Sequence, residues 1–341
     1  MTKPGVGTLV VVGSMNVDLT VRTRNLPNPG ETVIGRGISR GPGGKGSNQA
    51  AAAARLGANP ILVAALGADE DGVFLREAAA KQGINIDLIR QEKGSATGTA
   101  LITVDDAAEN FIVVSPGANN QLTSEMLQRS LFEIGKAAVL CLSLEVPVDT
   151  ALAAARASAV MGAITVLNLS PYSPKAIAIM PLVDVAVLNE GEALAAVGLR
   201  GLPAERPWQA VGALLGETGA KNAVITLGAE GAIVLENLQN GPISPVRIEP
   251  TRVRPVDTSG CGDAFAGAMA GELAHGADLL AAARFASQVA AYAATGRGTQ
   301  ASYPTRGQLQ EWLEQGEAAA VDEVEQKATV RAEISEADRS A

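Results

Sequence analysis

The densest concentration of reactive and turn-forming residues in the chain is Asp257-Thr-Ser-Gly-Cys-Gly-Asp-Ala-Phe-Ala-Gly267. Gly260 and Gly262 permit a tight turn ahead of a helix of small residues. Such a turn aims several backbone amides at one point beside the positive end of the helix, which is an anion-binding arrangement. Asp263 opens that helix, where a carboxylate can take a proton from a hydroxyl as the hydroxyl attacks phosphorus. A plain helix cap is the competing reading of an isolated Gly-x-Gly-Asp. The flanking Asp257, Thr258 and second glycine favour the chemistry.

A second cluster, Gly41-Pro-Gly-Gly-Lys-Gly-Ser-Asn-Gln-Ala50, surrounds one lysine with glycines and opens a helix at Asn48 and Gln49. It is not a P-loop, because Gly46 follows Lys45 where that motif needs Ser or Thr, and no buried first strand precedes it as a dinucleotide fingerprint requires. Alone it is a flexible turn with room for a ligand. Asn16-Val-Asp18 sets an amide and a carboxylate two residues apart, able to donate to one of two vicinal hydroxyls and accept from the other. An Asx turn explains that pair equally well. Asn189-Glu-Gly-Glu192 offers hard oxygen ligands at a strand end, suited to Mg²⁺ held partly through water, with a helix-capping pair as the alternative. Thr226-Leu-Gly228 suits a phosphate contact and is otherwise a structural turn.

Composition removes several function classes. The 341 residues carry 27 Lys and Arg against 36 Asp and Glu, a net charge of −9, and eight of the acids lie between Glu314 and Ala341 beside three bases. Such a balance is poorly suited to gripping a nucleic acid backbone, though amides and one metal can hold phosphates inside an acidic protein. The one histidine, His275, leaves no multi-histidine metal site and no ready serine–histidine–aspartate triad. Cys141 lies in an apolar run; Cys261, in the glycine turn, is either a reactive thiol at a helix N-terminus or a small packed side chain. Met1–Thr8 lacks the regions of a secretory signal, and Gly162, Pro171 and Pro174 break the uncharged span Ala157–Pro174. The chain therefore reads as cytoplasmic, with no membrane partner.

The elements that must position these groups alternate along the chain. Apolar runs at Leu9–Val12, Pro60–Leu66, Ala138–Leu144, Thr165–Asn168, Val183–Leu188, Ala223–Leu227 and Ala232–Leu235 predict buried strands. Ser47–Leu56, Asp71–Gln82, Ser124–Ile134, Val148–Met161, Glu190–Val197, Trp208–Leu215, Asp263–Gly276 and Asp278–Ala294 predict helices. This is the rhythm of an α/β fold with a mostly parallel sheet, whose sites lie beyond strand C-terminal ends. Leu19–Thr23, Glu31–Ser39, Thr97–Val104 and Asn110–Ser115 read instead as half-exposed strands of a separate small sheet. The expected organisation is a main domain of residues 1–18, 40–96 and 116–313, a β lid of 19–39 and 97–115, and an acidic, mobile tail of 314–341.

Taken together, the motifs resemble those of the ribokinase-like (PfkB) family of carbohydrate kinases over residues 9–313. Asp257–Gly267 is similar to the family's C-terminal motif. Gly43-Gly-Lys-Gly-Ser-Asn-Gln49 is similar to its N-terminal motif, in the lysine-bearing form that fructokinase-like and adenosine kinase-like members usually lack. The resemblance implies a doubly wound α/β domain with helices on both faces under a small β lid, and lids that pair into a homodimer. It implies transfer of the ATP γ-phosphoryl to O5 of D-ribose, with Asp263 as base and the amides of Gly260, Cys261 and Gly262 as anion hole. Asn16, Asp18, Gly44, Lys45, Asn48 and Glu145 would surround the sugar. Asn189 and Glu192 would organise Mg²⁺ and phosphates largely through water, and Thr226, Gly228 and Gly262 would contact the nucleotide. Asp257, Ser259, Ala293, Gly298 and Ser302 match a monovalent cation site, usually potassium, which implies activation by K⁺ over Na⁺. Cys261 stands where Ala or Gly is usual, and Ala264 and Ala266 where polar residues commonly follow the base. Kinases of deoxyribose, nucleosides or other sugars are alternative readings, as is a non-catalytic sugar-binding or regulatory protein on the same scaffold.

Overall fold

A computed structural model describes residues 7–107, 109–203 and 206–316. The strands are β1 (Thr8–Val12), β2 (Asn16–Arg22), β3 (Ile38–Gly43), β4 (Asn59–Gly67), β5 (Ile89–Glu92), β6 (Gly98–Val104), β7 (Asn110–Ser115), β8 (Val139–Leu142), β9 (Ile164–Asn168), β10 (Val185–Asn189), β11 (Ala223–Thr226), β12 (Ala232–Leu235) and β13 (Val246–Ile248). The helices are α1 (Lys45–Arg55), α2 (Glu70–Lys81), α3 (Leu131–Lys136), α4 (Val148–Met161), α5 (Glu190–Ala196), α6 (Trp208–Glu217), α7 (Cys261–Ala274) and α8 (Leu279–Ala294). The tail from residue 317 onward lies outside the described residues.

Nine strands form one sheet in the order β13-β12-β11-β10-β9-β8-β1-β4-β5, parallel from β5 to β11 and antiparallel at β12 and β13. Period-two alternation sends Leu9 and Val11 to one face and Val10 and Val12 to the other. Each pair joins a separate buried cluster, the first with α1, α2, α7 and α8, the second with α3, α4 and α6. Burial on both faces is why these strands read as unbroken apolar runs. Strand order reverses at β1, which pairs with β4 on one side and β8 on the other. A crevice opens at such a reversal, beyond the strand C-termini. Ser14 and Asn16 follow β1 into it, and Glu145 follows β8.

The small sheet has the order β3-β2-β6-β7, with β2 and β6 parallel and the other pairs antiparallel. Ala100, Ile102 and Val104 form its own buried cluster, while Leu101 and all of β7 are exposed. Its second strand begins later than expected, at Ile38 and not Glu31. Gly35 and the left-handed Gly37 (φ +116°) interrupt the alternation before that point. The sheet also reaches further toward the crevice: β2 starts at Asn16 and β3 runs to Gly43, one residue pair in register. Boundaries at 18/19 and 39/40 therefore cut through two continuous strands.

One other expectation shifts, and two strands appear where none was expected. The helix expected over Ser124–Ile134 is a 3₁₀ turn, Glu125–Arg129, followed after Ser130 by the short α3. β5 and β13 were not legible as strands, being short sheet-edge segments that carry Arg90, Glu92 and Arg247. Charge on a short edge is a common guard against unwanted strand pairing.

Candidate active site

The turn before α7 is built as its glycines suggest. Gly260 caps the helix with φ +75°, a left-handed conformation glycine adopts without a Cβ penalty. A Cβ there would lie 2.7 Å from the Tyr303 hydroxyl, which donates to the Gly260 carbonyl at 3.0 Å. The Cys261 amide leans on the Thr258 carbonyl at 3.3 Å, and Gly262 is exposed. Amides in the first turn of a helix have no partner within it, so this turn can receive an anion.

Asp263 is buried against α1. Its Oδ2 accepts from Asn48 Nδ2 at 3.0 Å, its Oδ1 from Gln49 Nε2 at 3.2 Å, and Lys45 Nζ lies 4.0 Å from Oδ1. The approach of the two helices depends on Gly267, where a Cβ would come within 2.2 Å of the Gln49 carbonyl oxygen. The supporting amides are themselves held: Gln300 Nε2 donates to Asn48 Oδ1 at 3.0 Å and to Ser47 Oγ at 2.9 Å, and the Cys141 thiol donates to Gln49 Oε1 at 3.3 Å. The Asp263 carboxylate foremost, against the opposing effect of burial, holds the Lys45 ammonium above its ordinary pKa. Lys45 is therefore charged at neutral pH.

Asn16 and Asp18 stand two residues apart on β2, both buried. Asn16 Nδ2 donates to Glu145 Oε2 at 3.2 Å, and its Oδ1 accepts from Asn119 Nδ2 at 2.8 Å. The same Glu145 oxygen accepts from Ser14 Oγ at 2.5 Å and from the Lys45 amide at 3.2 Å. Asp18 faces Thr299, whose Oγ1 is 3.5 Å from Oδ2. Burial first, then the charges of Glu145 and Asp263, pushes the Asp18 carboxyl up to about 7. Gly44, at the N-terminus of α1, is packed so closely on Met15 and Asn16 that a Cβ would lie 2.7 Å from the Asn16 nitrogen. The second reading of Asn16–Asp18, a local Asx turn, is replaced by these long-range partners.

The opposite wall is different. A cavity of about 560 Å³ is lined by Thr226, Gly228, Pro250, Cys261, Gly262 and Phe265, among others. At the end of β10, Asn189 Oδ1 accepts from the Glu192 amide at 2.8 Å and Glu192 Oε2 accepts from the Asn189 amide at 2.9 Å. That reciprocal pair is a capping box, so both side chains have a structural role. Thr226 Oγ1 is 3.4 Å from the Leu188 carbonyl, and Gly228 is exposed with φ +58°. A second cavity, of about 390 Å³, lies on the other side of the turn and is lined by Asp18, Thr20, Arg22, Ser39, Asp257 and Ser259, among others. The glycine turn thus stands between two cavities, bordering the larger through Thr258, Cys261 and Gly262 and the smaller through Asp257 and Ser259, while Asp263 lines neither.

Asp257, Ser259 and Gly298 also converge: Asp257 Oδ1 accepts from the Ser259 amide at 3.0 Å, and Oδ2 from the Gly298 amide at 3.1 Å. Burial acts to raise the Asp257 carboxyl, but the Ser259 and Gly298 amides, with Arg22, hold it below the usual carboxylate range. Ala293 is buried in the last turn of α8 with its carbonyl accepting from the Gly296 amide at 3.1 Å, and Ser302 Oγ donates to the Thr299 carbonyl at 2.8 Å. Burial, then Asp257 and Asp263, pushes the Cys261 thiol up to about 12. A thiol with that pKa is inert at neutral pH, which leaves the packed side chain of the two readings.

Five residues of this network escaped the sequence reading as site groups: Arg22, Gln49, Asn119, Thr299 and Gln300. Gln49 sat inside a recognised motif and had a usable signal. The others are single polar residues in ordinary surroundings, and only contacts across 103 to 281 residues of sequence give them these partners.

The sequence matches the model of the pfkB family of carbohydrate kinases over residues 7–306. It is 32% identical over 307 residues to the ribokinase of Haemophilus influenzae, covering 90% of this chain and 98% of that protein. It is 32% identical over 315 residues to the deoxyribokinase of Salmonella typhi, covering 89% and 98%. Among solved structures, Arabidopsis thaliana ribokinase complexed with ribose and ATP matches with a TM-score of 0.81 at 28% identity, over 90% of this chain and 98% of that one. The chain belongs to the pfkB family of carbohydrate kinases. It is an ATP-dependent sugar kinase.

Proposed function

We propose that the protein phosphorylates D-ribose at O5, giving D-ribose 5-phosphate and ADP. The observation that carries this reading is Asp263, buried and fixed by two amides in the first turn of α7, directly after a glycine turn that borders a cavity shared with Asp18 on one side and a larger, mainly apolar one on the other. Asn16, Asp18, Lys45, Asn48 and Glu145 hold the sugar, with the Gly44 backbone close by. Asp263 accepts the proton of the 5-hydroxyl as the O5–phosphorus bond forms and the bond to the ADP oxygen breaks. The Gly260, Cys261 and Gly262 amides then offset charge on the transferring phosphoryl oxygens. Thr226 and Gly228 contact the nucleotide.

Asn189 and Glu192 fit Mg²⁺ as oxygen donors at an exposed strand end, and among the described residues no cluster of three His, Cys, Asp or Glu side chains forms an all-protein metal cage. Mg²⁺ held through water and substrate phosphates would supply neutralising charge there. The implied potassium site fits poorly: Asp257 Oδ2 accepts from the Gly298 amide and also from Arg22 Nη2 at 3.0 Å, so a cation already stands at its carboxylate. The exposed apolar lid side chains Ile38, Leu101, Phe111 and Val113 support a homodimer formed through the lid. No described helix is long and apolar enough to cross a membrane.

The test is ADP release from ATP and Mg²⁺ across D-ribose, 2-deoxyribose, fructose and adenosine. D-ribose should give the highest kcat/KM. A higher value with 2-deoxyribose would move the assignment to a deoxyribokinase, and ADP release that no sugar stimulates would overturn it.

A further inference from the structure

We infer that Arg22 is an internal substitute for a monovalent cation, so that the phosphoryl-binding turn is held without bound potassium. This deepens the kinase reading and rests on it for the role of the turn. Arg22 ends β2, and Asp18, Thr20 and Arg22 occupy alternate positions along that strand, which place them on one face. All three line the same cavity. Arg22 Nη2 reaches Asp257 Oδ2 at 3.0 Å across 235 residues of sequence, with the Asp257 side chain 5% exposed and that of Arg22 35%.

Asp257 is the only carboxylate in the implied cation set of Asp257, Ser259, Ala293, Gly298 and Ser302. Its two oxygens already accept from the Ser259 amide, the Gly298 amide and the guanidinium. A second cation at this carboxylate would meet like-charge repulsion from Arg22 at close range. A guanidinium also satisfies directional acceptors that a spherical ion would otherwise coordinate. Because Arg22 is carried by the lid, the bond does something a diffusible ion does not: it ties the strand holding Asp18 to the turn that opens α7. Arg22 is a positioning residue, acting through Asp257 on the amides of Ser259–Gly262.

The experiment compares the wild-type protein with Arg22→Met and Arg22→Gln in K⁺, in Na⁺ and in a bulky organic cation. Two readouts are taken: kcat, and the melting temperature of the protein without sugar or nucleotide. The wild type should change kcat by less than about 2-fold between salts and show no K⁺-specific rise in melting temperature, since no site is vacant for the ion. The variants should lose about 10-fold or more in kcat without K⁺, regain about 5-fold or more with K⁺ over Na⁺, and melt higher in K⁺. Strong K⁺ activation of the wild type, or a K⁺-specific rise in its melting temperature, would overturn the inference. So would folded variants that respond to K⁺ no more than the wild type. If neither variant folds, the wild-type melting series decides alone. Absence of sugar kinase activity would defeat the proposed function while leaving that series readable.

Discussion

The two walls of the crevice are built on different principles. On the wall proposed for the sugar, Asn16, Lys45, Asn48, Gln49, Glu145 and Asp263 are linked to one another by hydrogen bonds and an ion pair. On the wall proposed for the nucleotide, Pro250, Val253, Phe265, Ala290 and Ala291 help to line the cavity, and the polar pair at the end of β10, Asn189 and Glu192, is bonded to itself. The contrast follows from what each ligand offers. A small polyol has little apolar area, so its specificity must come from fixed donors and acceptors, and buried carboxylates tolerate that position only when partnered. A nucleotide brings a flat apolar base and phosphates, which a greasy cavity and backbone amides can hold. Rigidity is therefore concentrated where the hydroxyl must be aimed.

If that contrast is sound, the largest effect should come from the junction between the walls. Asp263→Ala should lower kcat by about 100-fold or more while leaving the fold and sugar binding mostly intact; turnover near the wild-type value would remove Asp263 as base. Next comes Asp18→Asn, expected to raise the sugar KM by about 10-fold or more through loss of a charged acceptor, with the ATP KM little changed. An equal rise in both KM values would dissolve the distinction between the walls.

The same substitution has an opposite effect on stability. The folded-state pKa of Asp18 is raised from 3.8 to about 7, so the protonated form is favoured in the fold. Its contribution is fully present below pH 3.8 and is lost as pH rises toward 7. The ligand-free Asp18→Asn protein should therefore melt several degrees higher than wild type at pH 8, on the order of 2 kcal/mol, with the gap closing toward pH 5. In the wild type, sugar hydroxyls favour the ionised carboxylate, so the sugar KM should rise several-fold as pH falls from 8 to 6 while the ATP KM stays nearly flat. A sugar KM independent of pH across that range would show that Asp18 is not the acceptor.

The smallest effect should lie on the nucleotide wall. Glu192→Gln keeps the capping box, so stability should change by less than about 0.5 kcal/mol, whereas the Mg²⁺ concentration for half-maximal rate should rise a few-fold. Glu192→Ala should add about 1 kcal/mol of destabilisation. If the Gln variant titrates with Mg²⁺ like wild type, Glu192 is a cap and nothing more.

How much of this was legible in sequence depended on whether a residue's meaning was local. Val148–Met161, Asn110–Ser115 and Ala232–Leu235 were read to the residue, because periodicity and bounding turns define them. Asp263 and its glycines were legible for the same reason: a turn, a helix start and an acid occupy eleven consecutive positions. β5 and β13 were not, since short charged edge strands lack a core-facing pattern. Glu145 came only by resemblance, and Gln300 not at all, although it holds Asn48 in place.

The order of buried strands and helices, the anion-binding turn and the acid beside it were determined by local spacing, because apolar periodicity and glycine conformational freedom act over a few residues. Tertiary structure alone decided which distant groups share a charge environment. It brought Asp18 beside Glu145 and Asp263, raising its affinity for a proton, and set Arg22 against Asp257. Coulomb interaction and desolvation depend on distance through space, which contour position along the chain does not encode.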